Sequence, residues 1–189
     1  MHVINNEYIL PITYKCNWKC KYCIADTHNQ KPLNIDKVLE KIKKIPCNSV
    51  VHLEGGEPGM LDKKELMIII KNLQLKQCKL FLNTNGLFLE KYPELTHYME
   101  DILYHCVEDL SSRKEIVLYD DVTYMLVVDD DTLEDLEWYL NKYPITFFVS
   151  RAIPRPDVKY KSLSKKNALY LIKNYKMHHD SVKYLLGYE

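Results

Sequence analysis

At 189 residues, 47% hydrophobic and 28% charged, the chain has the composition of a globular protein with a substantial core. Its 26 basic residues balance 26 acidic ones, so no global field points to nucleic acid or an anionic membrane, and no apolar run approaches the roughly 20 residues of a membrane span. The start, MHVINNEYIL, lacks the basic residues and long apolar run of a signal peptide, which makes the cytosol the expected compartment.

Strands and helices alternate along the chain. Residues 8–14 read as a strand in which Pro11 marks an edge or a bend. Asn34 then caps IDKVLEKIKKI, whose Ile35, Val38, Leu39, Ile42 and Ile45 share one helical face. SVVHL, residues 49–53, is a strand that breaks at GGEPG. Asp62 and Glu65 have capping-box spacing ahead of a helix through Leu73. KLFLN, residues 79–83, is a strand ending in TNG, followed by a short helix over 90–99 with Pro93 inside it. DILYHCV and VTYMLVV supply the fourth and fifth strands. Asp131 and Thr132 open a helix through Tyr139, ITFFVS is the sixth strand, and a last helix runs from Ser164 to about Met177.

Six strand–helix units with near-continuous apolar strands predict one α/β domain over residues 1–189, with a parallel sheet buried on both faces. Right-handed crossovers bring every strand's C-terminal end to one side, together with the loops that follow them. Those loops carry the chemistry. Cys16, Cys20 and Cys23 stand on one short loop, whereas Cys47, Cys78 and Cys106 are isolated and read as small buried hydrophobes. In a reducing compartment clustered thiols hold metal or do redox chemistry rather than form a disulfide framework. Three thiolates suit a [4Fe–4S] cluster with one iron left open. Zinc with a fourth ligand such as His28 is the competing occupant. Spacing alone favours iron and sulfur without excluding zinc.

The trio C-x3-C-x2-C, with Tyr22 before its last cysteine, follows the first strand; GGEP at residues 55–58 follows the second, and TNG at 84–86 the third. In this combination the chain resembles the radical S-adenosylmethionine (radical SAM) superfamily over essentially its whole length. The resemblance implies an α/β fold of six units forming a partial (β/α)6 barrel. It also implies a [4Fe–4S] cluster held by Cys16, Cys20 and Cys23, and S-adenosylmethionine chelating the fourth iron. Its reductive cleavage would yield a 5′-deoxyadenosyl radical that takes a hydrogen atom from the substrate. The expected electron donor is a flavodoxin or ferredoxin.

Further residues follow from the same resemblance. Gly55 and Gly56 let the backbone approach the methionyl ammonium. Glu57 supplies a charge there or ties its loop down. Tyr22 lies against the adenine, Asn83 faces the same mouth, and Glu108, in preference to His105, contacts the ribose. Arg151 pairs with a methionyl or substrate carboxylate, or else makes a surface ion pair. From the residues themselves, Arg155 is held near two prolines in RAIPRPD that lower the entropy cost of presenting its charge, and is expected to bind an acidic part of the substrate or else to be a solvated surface residue. Asn85 is a turn former, His97, His178 and His179 are solvated, and the acidic run at residues 129–131 starts a helix.

CKYCIADTHN has some likeness to glycyl-radical enzyme activases and to carboxy-deazaguanine synthases. The expected substrate is a peptide or protein, with a small nucleobase- or sugar-like metabolite as the alternative. The reading from a different class is a non-catalytic zinc or iron–sulfur interaction module.

Overall fold

The computed structural model describes residues 2–4, 6–27, 29–31, 33–153 and 162–186. These fall into two compact units: Met1–Lys19 with Ala25–Tyr104 and Tyr119–Val122, and Cys20–Ile24 with His105–Leu118 and Thr123–Glu189. Sheet order follows chain order across seven strands, six of them parallel, and the sheet is not closed. The fold is α/β, as the alternation of elements predicts. Among the described residues no helix is long and apolar enough to cross a membrane.

The first unit opens with β1 (His2–Ile4), antiparallel to β2 (Glu7–Thr13). Asn6, at φ 66°, turns the chain between them, a conformation asparagine tolerates. The sequence reading lacks β1, because three residues are too few to show a period. Strand β1 faces β2 from Glu7 to Ile9, so Pro11 lies past its end, with a ladder partner on the side of β3 (Val50–Gly55) at Glu54; it also marks a bend, and the register shifts between Pro11 and Thr13. Helix α1 (Ile35–Lys43) begins where Asn34 Oδ1 accepts from the N–H of Asp36 at 2.7 Å, and α2 (Lys63–Gln74) where Asp62 Oδ1 accepts from Glu65 at 2.8 Å.

Leu66, Ile69, Ile70 and Leu73 form one buried stripe on α2. Each full burial of such a side chain stabilises the fold by roughly 1.5–3 kcal/mol. Strand β4 (Lys79–Thr84) pairs with β3, and then with β5 (Asp101–His105). Between them the single helix expected over 90–99 divides into α3 (Leu87–Lys91) and a 3₁₀ segment, Pro93–Tyr98. Pro93 lacks the N–H that would continue α3.

The strands of this unit are not buried on both faces. Leu10, Ile12, Val51, Leu53, Leu80 and Leu82 are buried, while His52, Glu54, Phe81 and Asn83, pointing the other way, are only partly covered. This alternation corrects the expectation of two covered faces.

In the second unit the N–H of Cys106, just past β5, donates to Met125 O of β6 (Thr123–Val128). Strand β6 pairs in parallel with β7 (Phe148–Arg151), from Met125↔Phe148 to Val128↔Arg151. After a 3₁₀ turn at Asp130–Thr132, α4 (Leu133–Lys142) turns Leu136 and Tyr139 inward. Helix α5 (Lys165–Asn174) starts at Ser164, whose Oγ accepts from Asn167, and ends earlier than expected. The short α6 (Ser181–Leu186), absent from the sequence reading, packs on β7, where the N–H of Val149 donates to buried Ser181 Oγ at 2.9 Å.

Candidate functional site

In the first unit the chain leaves β2 at Thr13, whose Oγ1 accepts from the N–H of Lys15 and starts the cysteine loop. Cys16 is half-buried, and its Sγ receives the N–H of Trp18 at 3.4 Å and the amide Nδ2 of Asn85 at 3.9 Å. GGEP lies directly on this loop. The N–H of Gly56 donates to Thr13 O at 2.7 Å, and that of Glu57 to Lys15 O at 2.9 Å. A Cβ on Gly55, at φ 108°, would sit 2.3 Å from Thr13 O, and one on Gly56 would sit 2.1 Å from Lys15 O. The two glycines are therefore demanded first by backbone packing within the protein.

Glu57 is 1% exposed. Its carboxylate accepts from the N–H groups of Gly59, Asn85 and Phe88 and from Thr84 Oγ1, all between 2.7 and 3.0 Å. Burial raises its pKa above the usual carboxylate value, while the N–H donors of Asn85 and Gly59, then Thr84 and Phe88, oppose that rise. Of the two roles considered for Glu57, tying the loop down uses these acceptor positions. The side chain joins GGEP to TNG, and Asn85 carries the link on: its Nδ2 donates to Asn17 Oδ1 at 2.8 Å as well as to Cys16. Sequence reasoning treated Asn85 as a turn former and missed this bridge. The signal was TNG itself, which stands at the end of the strand beside GGEP. Asn83 donates to Glu54 Oε1 at 2.9 Å, and burial raises the pKa of that carboxyl group.

The second unit carries Cys20, Tyr22 and Cys23. The N–H of Cys23 donates to Cys20 O at 3.1 Å, closing a turn on which both thiols are half-buried. Two side chains between the thiols reach strand ends. Tyr22 Oη donates to Val107 O at 3.0 Å, and Lys21 Nζ lies 2.9 Å from Asp129 Oδ2. Burial, then the neighbouring Cys20, holds the Tyr22 phenol well above its ordinary pKa. His105 ends β5, and burial pushes it down to about 4. Glu108 is half-buried in the segment beyond, and Arg151 is the half-buried last residue of β7. Arg155 and His28 lie outside the described residues.

All six cysteines stand outside any disulfide. Cys106 is buried, and burial drives its thiol far above the ordinary range; Cys78 is half-buried and also raised by burial. Cys47 is exposed, which corrects its reading as a buried hydrophobe: it sits past Pro46 in the connection from α1 to β3. His178, expected to be solvated, is half-buried beside Phe148.

Comparison with known proteins gives this geometry a context. The profile of the radical SAM superfamily matches residues 10–138. A protein of Methanocaldococcus jannaschii named as a glycyl-radical enzyme activating enzyme is 33% identical over 92 residues, covering 47% of this chain and 35% of its own. A GTP 3′,8-cyclase of Helicobacter pylori is 32% identical over 93 residues, covering 45% of this chain and 29% of its own. The chain thus spans about a third of the length of these curated relatives. A solved structure described as native anSMEcpe with bound AdoMet superposes with a TM-score of 0.64 at 16% identity, over 89% of this chain and 58% of the other, a likeness of fold.

Proposed function

The chain belongs to the radical SAM superfamily, and on that premise we propose that Cys16, Cys20 and Cys23 hold three irons of a [4Fe–4S] cluster whose fourth iron takes S-adenosylmethionine. The observation that carries this reading is the backbone contact of GGEP with the cysteine loop at Thr13 and Lys15. The family's two cofactors fit the residues present: three half-buried thiols outside any disulfide, and a glycine pair that keeps side chains out of the adjoining backbone. When bound, these cofactors supply reductive sulfonium cleavage and abstraction of a hydrogen atom from the substrate.

The chain's own residues do the rest. The amide of Asn85 donates to Cys16 Sγ, a contact that would help set the potential of a cluster held by that sulfur. Glu57 holds Asn85 and GGEP in one geometry. Tyr22, tied to Val107, orients the turn between Cys20 and Cys23. Asn83, Glu108 and Arg151 are assigned to the nucleoside and amino-acid ends of the cofactor, and Arg155 to substrate. A flavodoxin or ferredoxin supplies the electron. The substrate is a peptide or protein, a reading supported by the activating-enzyme relative. A nucleotide substrate is the second reading, favoured by the cyclase relative.

The test is anaerobic reconstitution, reduction with dithionite and incubation with S-adenosylmethionine alone. 5′-Deoxyadenosine is expected from the parent and absent from Cys16→Ala, Cys20→Ala and Cys23→Ala, whereas Cys47→Ser and Cys78→Ser retain full iron content. Full iron loading in Cys20→Ala, or colourless parent protein carrying stoichiometric zinc, overturns the assignment.

A further inference from the structure

We infer that Asp129 is a positioning residue for the turn that carries Cys20 and Cys23, acting through its ion pair with Lys21. The inference rests on the proposed role of those thiols but assigns residues that this proposal does not use.

Asp129 follows β6 directly, and its side chain is 1% exposed. A carboxylate so deep in the protein requires partners. Its Oδ1 accepts from Thr132 Oγ1 at 2.8 Å, which opens the 3₁₀ turn before α4. Capping accounts for that oxygen alone. Oδ2 is buried and takes no hydrogen bond from any described residue, and its counter-charge is Lys21 Nζ at 2.9 Å, approaching as a charge rather than in hydrogen-bond alignment. Lys21 is 40% exposed, so its ammonium reaches inward from a solvated stem, as long basic side chains do.

The position of Lys21 gives the pair its meaning. It stands between Cys20 and Cys23, beside Tyr22, whose hydroxyl is tied to Val107 O beyond β5. Within the turn the N–H of Cys23 donates to Cys20 O, and Ile24 beyond it is exposed. Two adjacent side chains thus anchor the turn to the ends of two strands. A buried carboxylate fixes the direction of the lysine more strictly than a surface one, because leaving Oδ2 without a counter-charge is costly. Fewer accessible turn conformations mean less entropy lost when both thiolates bind a common group.

The experiment compares Lys21→Met, Lys21→Arg and Asp129→Asn with the parent. Thermal unfolding of each apo-protein checks the fold; Lys21→Met changes a partly exposed side chain and leaves the Asp129 cap in place. Reconstituted proteins are then challenged with an iron chelator. Lys21→Met and Asp129→Asn should lose iron about tenfold faster than the parent, the scale of lost outer-shell support. Lys21→Arg should stay within about twofold of the parent. Lys21→Met/Asp129→Asn together should lose iron no faster than the faster-losing of the two single variants. In the apo-proteins, alkylation of Cys20 and Cys23, read by mass spectrometry, should accelerate in Lys21→Met while that of Cys16 does not. Unchanged iron loss and unchanged alkylation in Lys21→Met overturn the inference. Should the parent hold no iron, the proposed cofactor fails by itself, and the alkylation arm still decides whether the pair orders the turn.

Discussion

A methyl group at Gly56 would have to occupy space held by Lys15 O, with the backbone of Tyr14 close on the same side. Neither neighbour is the end of a flexible side chain, so relief requires moving GGEP off the cysteine loop. At Gly86 the constraint is of another kind: its backbone, at φ 101°, is one that side-chain-bearing residues rarely adopt, and an added Cβ would meet the buried ring of Tyr104 at 2.9 Å. Gly56→Ala should therefore cost about 1–3 kcal/mol in urea unfolding, the scale of overpacking. It should also weaken S-adenosylmethionine binding in calorimetry. Parent-like stability and affinity in that variant would show that the two loops do not depend on this contact. The residue types of the site were legible in the sequence because GGEP, TNG and three close cysteines are contiguous signals. Their partners were not. Asn85 stands 69 positions from Cys16, and Asp129 reads locally as the start of a helix. Nothing in a one-dimensional pattern says that its second oxygen reaches Lys21.

Elements were legible where a local rule suffices. Asn34, Asp62 and Ser164 each accept a backbone N–H at the start of a helix, as short polar side chains ahead of an apolar stripe predict. The misses have physical causes as well. β1 and α6 have three and six residues, too few to display a period, and both are held by partners: β2 for the strand, β7 for the helix. At α3 the sequence warning was present in Pro93, and the chain breaks there into a second, tighter segment. The caps allow a direct test. Asp62→Ala removes the acceptor for Glu65 N–H without touching the buried stripe of α2. The variant should lose about 1 kcal/mol of stability, read as a lower urea midpoint at unchanged slope. Asp62→Asn should recover most of it. Equal losses in both variants would mean that charge at the helix start, rather than the capping bond, is what counts.

At the scale of the whole molecule, the formal net charge is zero at pH 7, and below that pH individual covered groups add their own sensitivity to the growing positive charge. Three stand out, and they pull in opposite directions. Glu54 and Glu57 are raised by burial, so their contribution is present at low pH and is lost as pH rises through their folded pKa values. His105, lowered from 6.5 to about 4 by burial, works the other way. Above its unfolded pKa it is neutral in both states and costs nothing. As pH falls, the unfolded chain takes up the proton first, and stability drains away until the folded ring is protonated near pH 4. The full shift corresponds to at most about 3 kcal/mol, less the part that solvent screens at a half-buried ring. Replacing His105 by Gln keeps a polar side chain of similar reach and removes the titration. Urea midpoints of the apo-protein at pH 7.5 and 4.5 should therefore fall less in His105→Gln than in the parent, the two carboxyl groups behaving alike in both. The difference should open between about pH 6.5 and 4, the interval bounded by the unfolded and folded values. A parent and variant that weaken in parallel across that interval would show that His105 meets solvent in the folded protein.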